Sequence, residues 1–330
     1  MENKYSNKYV IETGIGLQDV DNLKNSSYFI SESERYIKGE ISLSELEDIV
    51  SSYYKNKPEE DERTEEADII AVRIAKLISD DNFIFSIGQF VYIHKFLFEG
   101  VFNHAGKIRD FNFIKKEWVL DGASVFYADY NVIETALDFD FLAEKRFNYS
   151  GLSMDEIIEH LAIFIANLWQ VHAFQEGNTR TTAVFVIKYL RSLGFDVTND
   201  AFAKNAWYFR NALVRANYKH IRKGVIEDRS FLIKFLRNLL LNEKNPLHNK
   251  EMHISLSDQQ LDLGVRETKI VSLMKNKPNI KTEEIADELG VSLRTVKSLI
   301  AVLEKDEIIQ RTGGKKFGYW QVNISPKAKE

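Results

Sequence analysis

The residues of this chain best suited to chemistry sit together, in His172-Ala173-Phe174-Gln175-Glu176-Gly177-Asn178-Thr179-Arg180-Thr181. An imidazole titrates near neutrality, so His172 suits proton abstraction from a hydroxyl. Glu176 offers the hard oxygens that Mg²⁺ takes, and Arg180 can pair with a phosphate oxygen. Gly177 lets the backbone turn tightly and approach a ligand. A helix beginning near Thr179 adds unpaired N–H groups and a positive dipole end, which together form an anion site. Taken singly, each residue has a plain structural reading. A His at a helix end is a cap, Gly-Asn is a common turn, and Glu or Arg near a helix start is ordinary surface chemistry. Together, within nine residues, they supply what is needed to set a nucleotide phosphate beside a general base.

Two helices must hold that turn. Ser153 and Glu156 form a capping box, and Ile157, Leu161, Phe164, Ile165 and Leu168 follow at helical spacing, which predicts a helix to about His172. The second helix runs from about Thr179 to Leu193 and stops at Gly194. It is apolar nearly all round (Ala183, Val184, Phe185, Val186, Ile187, Leu190), as at the centre of a helical core. Periodicity adds helices over Ile69–Ile78, Gln89–Phe98, about Asn205–His220 and Ser230–Leu241. Between Asn112 and Tyr127 the pattern changes to β-prone runs around Asp121-Gly122, the signal of a hairpin. These elements define a main domain over 67–245. Ahead of it, residues 1–57 predict a helical hairpin, Ser27–Lys38 and then a helix opened by the Ser42/Glu45 capping box. Residues 57–68 hold seven acids against Lys57 and Arg63, which predicts a solvated acidic linker over 58–66 running into a helix.

A polar linker over 246–265 leads to a C-terminal domain, 266–330. There Arg266–Lys275, Thr282–Leu289 and a helix capped by Ser292 precede two short β-prone runs, Ile308–Arg311 and Phe317–Val322, around Gly313-Gly314. Three helices and a terminal hairpin make a winged helix-turn-helix. From Ser292 onward eight basic residues face four acids, so this end is basic in a chain of net charge −5. Arg294, Thr295, Lys297 and Ser298 point outward on the third helix and suit base edges, while Lys315 on the wing suits phosphate. DNA binding through 282–322, read by a homodimer, is one expectation. The other is a protein-docking module.

At 330 residues the chain suits two or three domains. The absence of cysteine excludes disulfides, thiol catalysis and thiolate metal sites and fits a reducing compartment. No apolar run follows the N-terminal charges, and no stretch is long enough to span a bilayer, so a cytoplasmic protein with no membrane partner is expected.

The 172–183 stretch resembles the signature H-x-F-x-[DE]-G-N-x-R-x-x-R of the Fic (Fido-fold) family. It matches at His172, Phe174, Glu176, Gly177, Asn178 and Arg180. Ile93–Glu99 and Ala105–Arg109 are similar to the family's upstream motifs, so the resemblance spans roughly 65–245. It implies a mainly α fold, a Fic helical core with a β-hairpin flap at 112–127 that clamps a target segment. It also implies transfer of AMP from ATP to a Ser, Thr or Tyr hydroxyl of a protein. By the resemblance His172 is the base and Glu176 the Mg²⁺ ligand. Gly177 and Asn178 are part of the anion hole around the α-phosphate, Arg180 holds the β-phosphate, and Thr179 belongs to the same nucleotide-binding loop. Two departures stand out. Ala173 replaces a proline, and Ala183 replaces the final arginine, which in the family grips the γ-phosphate and pairs with an inhibitory glutamate. The nearest counterpart of that inhibitory [ST]-x-x-x-E-[GN] motif is Leu17–Asn22, with Asp21 for Glu and Leu17 for Ser/Thr, so both halves of the lock are degraded and weak autoinhibition is expected. Members that bind ATP reversed, and act as kinases, also lack that arginine. A phosphotransferase and a nucleotide-sensing transcription regulator are therefore the alternatives.

Overall fold

A computed structural model describes residues 4–56, 62–255, 265–306, 308–312 and 318–322. It divides into two compact units, 1–219 with 226–255, and 220–225 with 256–330. The first unit is helical, in the order α1 (Asn7–Gly16), α2 (Ser27–Ile37), α3 (Leu43–Lys55), α4 (Glu62–Ile78), α5 (Ile87–Phe98), α6 (Ile133–Arg146), α7 (Met154–Val171), α8 (Asn178–Ser192), α9 (Ala201–Ala216), α10 (Ser230–Leu241) and the one-turn α11 (Asn249–Met252). Helix α8 lies at its centre, with every residue from Asn178 to Leu190 buried. The capping boxes at Ser42 and Ser153 are both formed and open α3 and α7.

Helix α1 is not legible from periodicity, because Gly14 and Gly16 weaken its helical signal. The structure shows what they do. A β-carbon on Gly14 would lie 2.3 Å from the Ala71 carbonyl oxygen of α4, and one on Gly16 would lie 2.1 Å from that of Ala203 in α9. The helix is wedged between two others at backbone contact. Helix α6 likewise carries a weak pattern, burying only Ile133, Leu137, Phe141 and Glu144.

Two expectations need correction. The acidic linker over 58–66 is helical from Glu62 onward, and residues 57–61 lie outside the described residues. Its acids are not all solvated, since the Glu66 side chain is only 13% exposed and pairs with Arg180. Asp68, just beyond the linker, is buried and accepts from Ser26 N and Oγ, Asn25 Nδ2 and Tyr54 Oη. The chain does reverse at Asp121-Gly122, both left-handed, with Glu117 N donating to Ala123 O at 2.9 Å. No strand ladder forms over 112–127, however. Trp118–Leu120 is a single 3₁₀ turn whose Val119 and Leu120 are fully buried, and Val119 O accepts from Ile254 N at 2.9 Å. Burial of Val119 and Leu120, just before the exposed Asp121-Gly122 turn, takes the place of a projecting ribbon.

The second unit packs α12 (Val265–Asn276), α13 (Thr282–Leu289) and α14 (Leu293–Lys305) with the antiparallel pair β1 (Ile309–Thr312) and β2 (Tyr319–Val322). Ile270, Met274, Ile285, Val296, Leu303 and Trp320 form its core. Among the described residues, no helix is long and apolar enough to cross a membrane.

The contacts of α1 give a stability test. Gly14→Ala and Gly16→Ala should each cost about 1–3 kcal/mol by forcing backbone apart. Gly88→Ala in α5 meets only Ser86 Oγ at 3.8 Å, and should be neutral or stabilising by up to about 1 kcal/mol. Urea unfolding midpoints check the contrast.

Candidate functional site

Helix α7 ends at Val171, and His172 turns the chain out of it in the left-handed conformation, φ 48° and ψ 55°. A residue with a β-carbon costs of order 1–3 kcal/mol there, so the surroundings must hold it. Three side chains do. Arg109 donates from Nε to His172 O and from Nη1 to Phe111 O, both at 2.7 Å, while its backbone N donates to Ala173 O at 2.9 Å. Asn178 clasps the loop, accepting from Phe174 N at 2.9 Å and donating to Phe174 O at 2.6 Å. His94 stacks on Phe174 at 3.8 Å, accepts at Nδ1 from Gly106 N, and lies 3.0 Å through Nε2 from Glu176 O. Because Nδ1 accepts and a carbonyl cannot donate, the proton of His94 sits on Nε2. Gly177 closes the turn at φ 74°, where a β-carbon would lie 2.3 Å from the Phe98 ring.

His172 is buried, only 3% exposed. Tyr127 stacks on it at 3.8 Å, and Trp169 meets it edge-on at 5.1 Å. Nδ1 lies 3.3 Å from the Trp169 carbonyl oxygen, which can only accept, so Nδ1 carries the hydrogen. Nε2 therefore keeps its lone pair, and it is buried without a hydrogen-bond partner. Burial, and then the positive charge of Lys115, hold His172 well below the ordinary histidine range. The Trp169 carbonyl opposes this, and Arg210 and Arg109 add to it. The ring is neutral at pH 7 and keeps an unpartnered lone pair under cover of Tyr127.

The head of α8 follows at once. Gly177 is its N-cap and no side chain caps it. Thr179 Oγ1 is taken by Trp169 Nε1 at 3.0 Å, leaving its backbone N–H for a ligand. Glu176 is half-exposed, and Lys115 Nζ donates to its Oε2 at 2.7 Å. No group of three or more His, Cys, Asp or Glu side chains is placed to hold a metal among the described residues. One accessible carboxylate beside an anion site fits Mg²⁺, which binds through one or two carboxylates and substrate phosphates and not through an all-protein cage.

Arg180 leaves this group. Its side chain is only 2% exposed and lies between Glu66 Oε1, 2.6 Å from Nη2, and Asp21 Oδ2, 3.0 Å from Nε. The second contact is a close pairing of charge without hydrogen-bond alignment. Gln18 accepts from Nη1 at 3.2 Å, and the Phe98 ring covers the guanidinium at 4.9 Å. The imperfect Leu17–Asn22 segment is thus engaged after all. Asp21 reaches Arg180, one turn before the buried and uncharged Ala183.

Sequence reasoning missed Lys115, Tyr127, Glu117, Arg210 and Glu66 as site residues, and singled out Asp21 only as a degraded counterpart of the inhibitory glutamate. Glu117 is buried and takes Arg210 with two bonds, at 2.6 and 3.1 Å. Exposure alternates along 113–118, with Phe113, Lys115 and Glu117 turned inward and Ile114, Lys116 and Trp118 outward. The alternation belongs to the folded segment and is not visible in its residue types, which run Phe-Ile-Lys-Lys-Glu-Trp.

In the second unit Arg294, Lys297 and Ser298 are exposed on α14. Thr295 is half-buried, with Oγ1 2.9 Å from Oγ of the N-cap Ser292. Lys315 lies outside the described residues.

Residues 84–190 match the Fic/DOC family, and residues 266–319 match an HTH domain. The first unit carries a Fic/DOC-family domain. No curated protein matches the chain. Among solved structures it is similar to a Fic family protein from Desulfovibrio desulfuricans G20, at 12% identity and TM-score 0.44, covering 98% of this chain and 89% of that one. It is also similar to the N-terminal FIC domain of the Bep8 protein, a VirB-translocated effector from Bartonella sp. 1-1C. That likeness has 21% identity and TM-score 0.41, and covers 56% of this chain and 88% of that one. The Fic-family domain here thus holds His172, Glu176, Gly177, Asn178 and Thr179 on one turn, followed in the chain by an HTH domain.

The buried His94 gives the turn a pH dependence. Desolvation lowers it from 6.5 to about 4, although the Glu176 carbonyl pulls the other way. The unfolded chain takes up this proton near pH 6.5 and the folded chain only near pH 4. Stability present above pH 6.5 is therefore lost as pH falls towards 4, by up to about 3 kcal/mol. Melting temperatures between pH 7 and 4.5 should fall, and should fall less steeply in His94→Gln.

Proposed function

We propose that the Fic-family domain transfers AMP from ATP to a Ser, Thr or Tyr hydroxyl of a protein. The observation that carries this reading is His172 Nε2, buried, unpartnered and unprotonated beside the uncapped head of α8. The hydroxyl oxygen attacks the α-phosphorus and its proton passes to Nε2. The bond from the α-phosphorus to the bridging oxygen breaks, and pyrophosphate leaves. The backbone N–H groups of Asn178 and Thr179 receive α-phosphate oxygens, and the Asn178 side chain keeps the turn in shape. Glu176 would hold Mg²⁺, which when bound neutralises charge on the phosphates. Arg180 must leave Asp21 and Glu66 before it can take a β-phosphate.

Beside the turn, a groove of about 700 Å³ shares Tyr127 and Val171 with it and is otherwise lined by residues that include Phe126, Val132, Phe139 and Asp140. Its apolar walls suit a target segment lying next to the hydroxyl. The HTH domain supports DNA binding, with Arg294, Lys297 and Ser298 free to meet base edges and Thr295 partly engaged at the cap.

Incubating the chain with ATP labelled on the α- or the γ-phosphate tests the reaction. The α label should appear on protein, and His172→Ala should reduce it by about 10²–10⁴-fold. Transfer of the γ label alone would indicate a phosphotransferase, a reading to which Ala183 and the occupied Arg180 lend support. Transfer of neither label would leave a nucleotide sensor.

On DNA, non-specific binding should be weak and salt-dependent, with Kd on the order of 10⁻⁴–10⁻⁶ M at physiological salt. At a preferred site, Arg294→Ala should cost roughly 1–3 kcal/mol at one base pair. A mobility-shift series across salt concentrations checks both, and no shift at low salt would make the domain a protein-docking module.

A further inference from the structure

A polyphosphate brought to the head of α8 needs cationic partners, and most cations near the turn are already committed. Arg109 donates to the carbonyls of His172 and Phe111. Arg210 is bound twice to the buried Glu117. Arg180 is enclosed by Glu66, Asp21, Gln18 and Phe98. Ala183 supplies no charge. Lys115 differs in each respect. It stands on the inward-facing row of the 113–117 segment, remains about a quarter exposed, and is ion-paired with Glu176, itself half-exposed, while its charge also acts on the buried Glu117. Glu176 immediately precedes Gly177, the N-cap of α8, so the Lys115 ammonium is paired with the residue that leads into the uncapped N–H groups. Its charge also acts on the buried His172 more strongly than that of Arg210 or Arg109.

We propose that Lys115 is a phosphate-binding residue of the nucleotide site, its ammonium exchanging the Glu176 carboxylate for a phosphate oxygen when the nucleotide enters. This rests on the proposed use of ATP by the Fic-family domain. The same exchange frees Glu176 for Mg²⁺, so one movement of a flexible side chain prepares both the anion and the metal contacts. Lysine suits this part because a compact charge on a four-carbon stem can change partner without moving the backbone. The charge it brings comes from the segment between α5 and α6, whereas position 183 of α8 supplies none.

Calorimetric titration of the full chain with ATP, tripolyphosphate and adenosine tests the assignment, using the wild type, Lys115→Ala and Lys115→Arg, each with and without Mg²⁺. Loss of one charge-assisted contact should weaken ATP and tripolyphosphate by about 10- to 100-fold in Lys115→Ala. Adenosine affinity should be unchanged, and Lys115→Arg should recover most of the loss. If Lys115→Ala binds ATP as tightly as the wild type, or more tightly, Lys115 is only a latch on Glu176 and the proposal is overturned. The reading beneath it fails separately. A wild type that binds tripolyphosphate through Lys115 but does not distinguish ATP from it, and transfers no label, would discard AMP transfer and keep the phosphate contact.

Discussion

The left-handed conformation of His172 is the constraint on which the site depends. A right-handed residue there would extend α7 and remove the reversal that brings the chain to α8. The conformation is held from three directions, by Arg109 ahead of the 112–127 segment, by His94 on α5 and by Asn178 on α8 itself. Each of these groups is buried and engages backbone atoms of the turn, so each fixes position without adding a mobile charge next to the ring. Tyr127 then covers the imidazole, and desolvation keeps it neutral. The histidine becomes a base through the shape of the turn.

Around that neutral ring the charges are paired across elements. Lys115 meets Glu176, Arg210 meets Glu117, and Arg180 meets Asp21 and Glu66. An entering polyphosphate therefore competes with carboxylates, and the cost differs from pair to pair. The half-exposed Lys115–Glu176 pair is weakly held because water screens it. The buried Arg180 group is strongly held, since separating it would leave desolvated charge behind. The segment before α2 is part of this arrangement through Asp21 and Gln18, although its motif departs from the family's at two positions.

Much of the core was legible because its signals are local. The two capping boxes, the apolar run of α8 and the residues of the 172–180 loop lie close together in sequence. What was not legible depends on distant parts of the chain. Lys115 meets Glu176 across 61 positions, and Glu66 meets Arg180 across 114, with no spacing rule to announce either pair. Helix α1 was hidden by the glycines that let it pack, since their value appears only when α4 and α9 are in place. The 112–127 segment read as a β-hairpin from its β-prone residues and its Asp-Gly turn. Burial of Val119 and Leu120 outweighed that preference, as packing commonly does for β-propensity.

The role of His172 as a base depends on its protonation state, which ¹⁵N NMR of the histidine ring nitrogens can read. At pH 7 the His172 signals should be those of a neutral ring with hydrogen on Nδ1 and none on Nε2, and they should stay so as the pH is lowered through 6.5, where an exposed histidine titrates. A ring carrying its hydrogen on Nε2, or an imidazolium at pH 7, would contradict it.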